Sequence, residues 1–314
     1  MGRVFIRRQN PSRQFVSEDD LNAVLSQTHF EVASSLKVKH GAKVMKQPYN
    51  YWLKVPGNVG WDRKGSPKSN LHNAVIQMEK NKYYTGVEGS VTVYDPQVKE
   101  GQTYAQIYVF NGDDLDYYNL ITTGWMVSPD IYHDGSPHFF AVFTNDNFEQ
   151  AGCLNNMCPG FVQTHKSVYL GATITNVSVP NGPQFQTTIS LQRDSNYNWW
   201  ISIEGFVVGY YPKEIVFNLN QPQGLGWGGV AVGNPNGNSA PPMGSGEFSD
   251  GSNACEFSNI QYRNQENTTL APQSPHYKII TDNPKCYDLK YDGYKNPEFG
   301  FTFKFGGPGG TCSN

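Results

Sequence analysis

The fold class is visible first in the stretch Tyr104-Ala105-Gln106-Ile107-Tyr108-Val109-Phe110, which ends at the dipeptide Asn111-Gly112. Aromatic and β-branched residues favour strands, and Asn-Gly is a strong turn signal. Similar short runs between turn residues predict strands at 89–94, 138–143, 184–191, 199–203, 206–211 and 230–232. Many short strands with few helical stretches indicate an all-β protein, an antiparallel β-sandwich of two stacked multi-stranded sheets.

The composition agrees with this class and argues against several functions. The 314 residues include 32 Gly, 19 Tyr and 18 Phe, and only 16% are charged. A net charge of −3 without a basic stripe argues against a nucleic-acid partner. Because no run of 18 apolar residues occurs, we predict no transmembrane helix and no membrane partner. No signal-peptide pattern is visible, so we interpret the chain as a trimmed or mature form.

The N-terminal quarter lacks the recurring strand pattern of the rest of the chain. Ser17 followed by three acidic residues predicts the start of a short helix that runs to about Gln27, and residues 49–69 are typical of a loop. We therefore predict a linker and N-terminal extension over residues 1–75 and a β-sandwich domain over residues 76–314.

Two segments carry the clearest relationship to known proteins, Asn119-Leu120-Ile121-Thr122-Thr123-Gly124-Trp125 and Gly226-Trp227-Gly228-Gly229-Val230. Both resemble signature segments of the neprosin family, plant-type secreted glutamic peptidases that cleave at proline. Further matches occur in the family's order at residues 2–8, 83–84 with 93–96, 152–163, 198–200 with 209–212, 243–246 and 305–309. The resemblance implies two stacked sheets with a cleft on one of them. It also aligns residues 1–75 with the linker that follows the family's activation peptide, a peptide that we do not expect in this chain.

The two catalytic positions of that family are substituted. The family segments usually read Ile-Glu-Ala-Gly-Trp and Trp-Gly-Gly-Glu, so the resemblance aligns the two glutamates with Thr122 and Val230. Such a peptidase needs one ionised carboxylate as a base and one protonated carboxyl as an acid. A threonine hydroxyl is a poor base, and valine has no polar atom. Since acid–base catalysis contributes about 10²–10⁴-fold per group, we predict that this mechanism is largely lost.

Other carboxylates lie near the motifs and could replace the missing pair. We interpret each as a solvated surface acid; they are Asp116, Asp130, Asp134, Glu204 and Glu247. His133 with Asp134 and His138 could suggest a metal site, but adjacent strand residues point to opposite faces, so we predict no metal and no cofactor. Ser245 lies in a Gly-Ser-Gly turn without the longer nucleophile motif.

Aromatic residues are concentrated in the motif segments, and some should line the predicted cleft. The predicted cleft residues are Trp125, Gln163, Trp200, Glu204, Tyr210 and Trp227. In a sandwich most such rings pack in the core, so core packing is favoured for any single one of them. Rings of this kind pack well on proline or on other flat apolar groups. Valine at position 230 makes the cleft drier and less charged, which favours a small apolar or aromatic ligand.

Cysteines and glycosylation sequons bear on the compartment. Cys153 and Cys158 bracket a four-residue loop and predict a disulfide, with two free thiols as the alternative. The resemblance implies a second pair, Cys286 with Cys312, and leaves Cys255 over. Sequons at Asn176 and Asn267, together with a disulfide, favour secretion or a vacuole-like lumen.

The sequence leaves two main functions open. The first is a secreted neprosin-like protein without glutamic peptidase activity. Its cleft binds a small molecule or a proline-containing peptide, or it catalyses a different small-molecule reaction with Thr122, Gln163 or tyrosines as hydrogen-bond donors. The second is an active prolyl endopeptidase working at acidic pH with carboxylates supplied elsewhere. A structural or wall-associated role is the third.

Overall fold

The structure, a computed structural model, describes residues 71–80, 82–112, 119–145, 152–233 and 239–311. Strands dominate these residues, with one short α-helix, α1 (Pro129–Tyr132), and a 3-10 helix (Phe217–Leu219). The strands are β1 (Leu71–Met78), β2 (Tyr84–Thr92), β3 (Gln102–Asn111), β4 (Asn119–Val127), β5 (His138–Thr144), β6 (Gly152–Leu154), β7 (Val162–Gln163), β8 (Gln186–Arg193), β9 (Trp199–Ile203), β10 (Phe206–Tyr211), β11 (Gly224–Val232), β12 (Cys255–Asn264), β13 (Thr269–Leu270), β14 (Tyr277–Thr281), β15 (Asp288–Asn296) and β16 (Gly300–Gly306).

The strands form two sheets, and neighbouring strands within each sheet are antiparallel. The seven-stranded sheet has the order β14-β1-β11-β3-β4-β5-β6, and the nine-stranded sheet has the order β15-β16-β12-β2-β8-β9-β10-β7 with β13 beside β12. The predicted all-β fold of two stacked antiparallel sheets is confirmed.

The core lies between the two sheets and follows from alternation along each strand. In β3 the residues Ala105, Ile107 and Val109 point into the main apolar cluster, where they meet residues of the other sheet such as Val91 and Leu191. Successive side chains of a strand point to opposite faces, so Gln102, Tyr104, Gln106, Tyr108 and Phe110 lie on the outer face of the seven-stranded sheet. This outer face carries two smaller apolar clusters of its own.

The predicted strands are confirmed, with small shifts at their ends. β9 and β10 have the predicted bounds, whereas β11 begins at Gly224 instead of residue 230. Because glycine has a low strand propensity, the glycine-rich first part of β11 was not predicted as a strand. Here the neighbours fill the space: a Cβ at Gly229 would lie 2.3 Å from the Phe305 ring.

The predicted boundary between residues 75 and 76 falls inside β1, which pairs with β11 and β14. The sandwich therefore includes residues from Leu71 onward. The predicted N-terminal helix lies outside the described residues, and the part of the predicted linker that precedes Leu71 stays a prediction.

The cysteines support the sequence interpretation in part. Cys153 and Cys158 form a disulfide, as predicted, while Cys255 is a free, buried thiol. Cys286 is also disulfide-bonded, and Cys312, its predicted partner, lies outside the described residues. Burial raises the pKa of the Cys255 thiol to about 12, so Cys255 is an unreactive core residue. Within the described residues, no helix has the length and apolar character needed to cross a membrane.

Candidate functional site

Thr122 and Val230 lie on the outer face of the seven-stranded sheet, on the two strands that flank β3. Thr122 of β4 pairs with Tyr108, and Val230 of β11 pairs with Tyr104. The two predicted positions therefore share one face but are not paired neighbours, because Gln106 lies midway between Tyr104 and Tyr108. Both side chains are about 1% exposed.

Gln106 is the polar centre of this face. The Thr122 hydroxyl donates a hydrogen bond of 2.6 Å to Gln106 Oε1. Glycines pair with Gln106 from both sides, Gly124 on β4 and Gly228 on β11. A Cβ at Gly124 would lie 1.9 Å from the Ala105 carbonyl oxygen, and one at Gly228, where φ is +152°, would lie 2.3 Å from that of Ala74. The two positions paired with Gln106 therefore carry no side chain.

Apolar side chains surround this centre. Val230 belongs to an outer-face cluster that also contains Tyr104, Met126, Phe140, Val142, Leu154 and Val232. The Tyr104 and Phe140 rings pack edge to face, with centroids 5.4 Å apart. At the position where the resemblance expects a carboxylate, the chain therefore has Val230, an apolar member of this cluster.

Two polar side chains on the same face lack partners. The Tyr108 hydroxyl and both polar atoms of the Gln102 amide are buried without a hydrogen-bond partner. Burial raises the pKa values of Tyr104 and Tyr108 well above the usual range of tyrosine. Both phenols therefore stay protonated, and the Tyr108 O–H remains a free donor.

Carboxylates are missing from this sheet. None of its seven strands, β1, β3, β4, β5, β6, β11 and β14, contains Asp or Glu. The acid–base pair that a glutamic peptidase requires is thus not formed by the strands of this sheet.

The structure corrects the prediction that Trp125 and Trp227 line a cleft. Both are fully buried in the core between the sheets. Their indole N–H groups donate to backbone oxygens of the opposite sheet, Trp125 to Thr92 at 3.0 Å and Trp227 to Glu88 at 2.8 Å. Two residues of one strand that are an odd number of positions apart point to opposite faces of the sheet. Trp125 is at such a spacing from Thr122, and Trp227 from Val230, so both rings point inward.

The other four predicted cleft residues belong to the nine-stranded sheet and do not join Thr122. Trp200 and Tyr210 pack with ring centroids 4.5 Å apart, and the Trp200 indole donates to Asp194 at 2.8 Å. Gln163 is exposed on edge strand β7. Glu204 lies in the β9–β10 turn instead of on a strand, with φ at 52°, and its carboxylate accepts a hydrogen bond from Thr188 N–H.

Of the remaining candidate acids, Asp134 and Glu247 make local hydrogen bonds. Asp130 is exposed, Asp116 lies outside the described residues, and the Glu247 carboxylate accepts hydrogen bonds from the Asn253 backbone and side chain. Slight burial acts to raise the pKa of Asp134, but hydrogen bonds from His138 and the Ser136 backbone lower it overall.

His138 is a buried histidine with partners on both ring nitrogens. Its ring is buried and stacked on Tyr132 with centroids 3.9 Å apart, and its two nitrogens lie 2.9 Å from Asp134 and from the Gly171 carbonyl. His133 is exposed. Across the part of the chain that the structure describes, no group of three His, Cys, Asp or Glu residues could hold a metal ion.

The sequence reasoning missed Gln106, Tyr104 and Tyr108 as site residues. The signal was present in the period of two along β3, since these three residues share the face that carries Thr122 and Val230. It also missed Glu88, which is buried on the outer face of the nine-stranded sheet. Burial raises the pKa of Glu88 to about 7, although a hydrogen bond from Gln261 opposes this.

Comparison with known proteins agrees with the resemblance found in the sequence. The model of the neprosin family matches residues 99–308, more than half of the chain. Residues 99–308 contain both Thr122 and Val230. The chain therefore belongs to the neprosin family.

Two solved structures show limited similarity to the chain. One is scytalido-glutamic peptidase with a transition state analog inhibitor, at 13% identity and a TM-score of 0.44, covering 76% of this chain and 98% of that one. The other is SCP-B, a member of the Eqolisin family of peptidases, in a complex with the tripeptide Ala-Ile-His, at 12% identity and a TM-score of 0.39, with the same coverages.

Proposed function

We propose that this neprosin-family protein is not a glutamic peptidase and that the outer face around Gln106 binds a neutral ligand. The observation that carries the proposal is the absence of Asp and Glu from all seven strands of that sheet. Without a carboxylate on these strands, the aligned positions Thr122 and Val230 offer no group that can take a proton from water and return it to the leaving nitrogen.

The lining suggests the ligand class. The apolar cluster around Val230 and Phe140 favours a flat apolar or aromatic group. The unpartnered Tyr108 O–H is a donor for a ligand carbonyl, and leaving it buried and unpaired costs about 1–3 kcal/mol. A charged ligand is disfavoured because these strands offer no acid to pair with a cation and little that would pair with an anion. We therefore expect small, uncharged amides with an aromatic or proline ring.

The first test is proteolysis. The purified protein is incubated between about pH 2 and pH 6 with a proline-containing peptide, beside the variant Thr122→Ala/Val230→Ala. We expect no proline-specific cleavage, and any background cleavage should be equal in both samples because it comes from contaminants. Cleavage at proline that survives re-purification supports the alternative, an active prolyl endopeptidase, which family membership alone favours.

The second test is ligand binding. Calorimetric titration with N-acetyl-tryptophanamide and N-acetyl-prolinamide should detect binding, and the carboxylate N-acetyl-tryptophan should bind more weakly. Tyr108→Phe should weaken binding of the amides by about tenfold, because one hydrogen bond is lost.

A matched control exists for this variant. The Tyr211 hydroxyl is also buried without a partner, but Tyr211 points into the core between the sheets. Tyr211→Phe should therefore leave amide binding unchanged. If neither amide binds the wild-type protein at millimolar concentration, the ligand class is wrong, and the proteolysis result still stands separately.

We also propose that the protein is made in the secretory pathway. The Cys153–Cys158 disulfide is compatible with an oxidising compartment. Of the two sequons, Asn267 is exposed in a turn, whereas Ser178 in the other sequon is buried and bonded to Phe185. Expression in a secreting eukaryotic host should give a glycan on Asn267, seen as a mass loss with an N-glycosidase that Asn267→Gln abolishes. An unmodified, fully reduced protein contradicts this proposal.

A further inference from the structure

A groove of about 440 Å³ lies away from the Gln106 centre, at one end of the sandwich. The connection before β2, the β8–β9 turn and the segment around the 3-10 helix form its walls. Three aromatic side chains are exposed there, Tyr83 at 39%, Tyr197 at 42% and Phe217 at 56%. Exposed rings gathered in one groove mark a binding surface more often than rings scattered singly.

Two of these rings are held by the local structure. Tyr197 has a left-handed backbone with φ at 69°, in a turn closed by hydrogen bonds between Asp194 and Asn198. The Arg193 guanidinium lies 4.8 Å from the Tyr197 ring centroid. An aromatic residue in this conformation carries a backbone cost, and such positions cluster at functional sites.

Phe217 projects from an anchored segment. The 3-10 helix that contains it is fixed because the Trp199 indole donates to the Leu219 carbonyl at 2.9 Å, and because the Asn218 amide donates to Asn119. The side chain of Leu219 is buried while that of Phe217 points outward. The ring is thus presented on a rigid base, which lowers the entropy cost of binding.

The rest of the lining is made of uncharged amides. Asn111, Asn218, Asn220, Gln221 and Gln223 complete the groove, and none of the described residues that line it is Asp, Glu, Lys or Arg. Among the hydrogen bonds of the described residues, none uses the side chain of Gln221 or Gln223 or the hydroxyl of Tyr83 or Tyr197. A primary amide both donates and accepts, as a sugar hydroxyl does.

We propose that this groove binds a neutral oligosaccharide. Flat rings can cover the apolar C–H faces of sugar rings while the free amides bond the hydroxyls at their edges. The lining is mainly polar, which fits a polyhydroxylated ligand better than an apolar or proline-rich peptide. The described lining residues carry no charge, and Arg193 lies against the Tyr197 ring, so a neutral ligand is favoured over one recognised through phosphate or carboxylate groups.

The experiment is calorimetric titration of the full chain with cellohexaose, xylohexaose and mannohexaose, with hexagalacturonate and a proline-rich nonapeptide as competing ligand classes. At least one neutral hexasaccharide should bind, with an affinity that is unchanged between about 0.05 M and 0.5 M NaCl because no ion pair is involved. Phe217→Ala should weaken binding about tenfold, and Tyr197→Ala/Phe217→Ala should abolish detectable binding.

Phe206→Ala is the matched control, since Phe206 is 49% exposed but lies on β10 outside the groove. It should leave the affinity unchanged. Thermal unfolding of each variant checks that the fold is intact. The proposal is overturned if no neutral hexasaccharide binds at millimolar concentration, if Phe217→Ala and Phe206→Ala behave alike, or if the peptide or hexagalacturonate is the preferred ligand.

Discussion

The outer faces of the two sheets differ in kind although the sheets share one core. On the seven-stranded sheet, Gln106 and Thr122 form a small neutral polar centre within an apolar cluster. On the nine-stranded sheet, the outer face carries hydroxyls such as Ser90 and Thr188, whose oxygens lie 2.8 Å apart, and a buried acid, Glu88. The strands of the seven-stranded sheet thus contain no acid, whereas the outer face of the nine-stranded sheet holds a buried one, Glu88.

This difference shows which part of the sandwich can change. Inward residues of both sheets must stay apolar because they build one shared core, whereas the alternate residues are free of that demand. Threonine at position 122 and valine at position 230 are thus compatible with the sandwich fold. The same freedom lets the opposite face hold polar side chains that the core could not accept.

Returning a charge to the neutral face should produce the largest effect. Val230→Glu places a carboxylate among Tyr104 and Phe140 without a cation to pair with it, so we expect about 3–5 kcal/mol of destabilisation at pH 8. Burial raises the pKa of the new carboxyl in the folded state. The loss of folding stability therefore becomes smaller as the pH falls toward the ordinary pKa of glutamate. Urea unfolding at pH 8 and pH 4.5 measures it.

Val230→Gln is the control, because it has the shape of glutamate without its charge. It should show a smaller loss and no dependence on pH. If the two variants are equally stable at pH 8, the outer face is not the neutral environment described here.

Removing the buried acid from the other face should have the next largest effect. Since burial raises the pKa of Glu88 from 4.5 to about 7, folding takes up a proton there. The resulting stabilisation is complete below the unfolded pKa and is lost as the pH rises toward about 7. Glu88→Gln mimics the protonated form, so it should be more stable than the wild type by about 3 kcal/mol at pH 8 and equal to it near pH 4.

Chemical denaturation across this pH range compares Glu88→Gln with Glu266→Gln, where the acid is exposed. The exposed variant should follow the wild type at every pH. A Glu88→Gln protein with an unchanged pH profile would show that Glu88 is ionised in the folded state.

The smallest expected effect concerns the polar centre itself. Thr122→Val keeps the shape of the side chain but removes the hydrogen bond to Gln106, which should cost about 1 kcal/mol. Thr302→Val is the matched control, since the Thr302 hydroxyl is buried without a partner and its removal should cost nothing. Equal effects in urea unfolding would mean that the Thr122–Gln106 bond contributes no stability.

Much of the fold could be predicted because the residue pattern of a strand is visible in a short stretch of sequence. The runs at 199–203 and 206–211 became β9 and β10 with their predicted bounds. The first half of β11 was missed because its glycines carry no side-chain pattern; the close approach of β1 and Phe305 requires them. Contacts of that kind join residues far apart in the sequence.

The candidate site was predictable only in part. Motif spacing pointed to Thr122 and Val230, but the aromatic residues beside them were assigned to the wrong face. Trp125 and Trp227 turned inward, and Trp200 and Tyr210 belong to the other sheet. Gln106 had no motif to mark it, because its role comes from lying between two glycines of neighbouring strands.

The sequence by itself determined the family and the all-β class, since these depend on residue identity and local alternation. It also led to the prediction that Thr122 and Val230 stand where the family has its two glutamates. Only the tertiary structure decided which strands lie side by side, and hence that Gln106 is the centre of the neutral face and that Tyr83, Tyr197 and Phe217 meet in one groove. Strand order and register depend on how distant segments bury the shared core together. A short stretch of sequence therefore does not determine them.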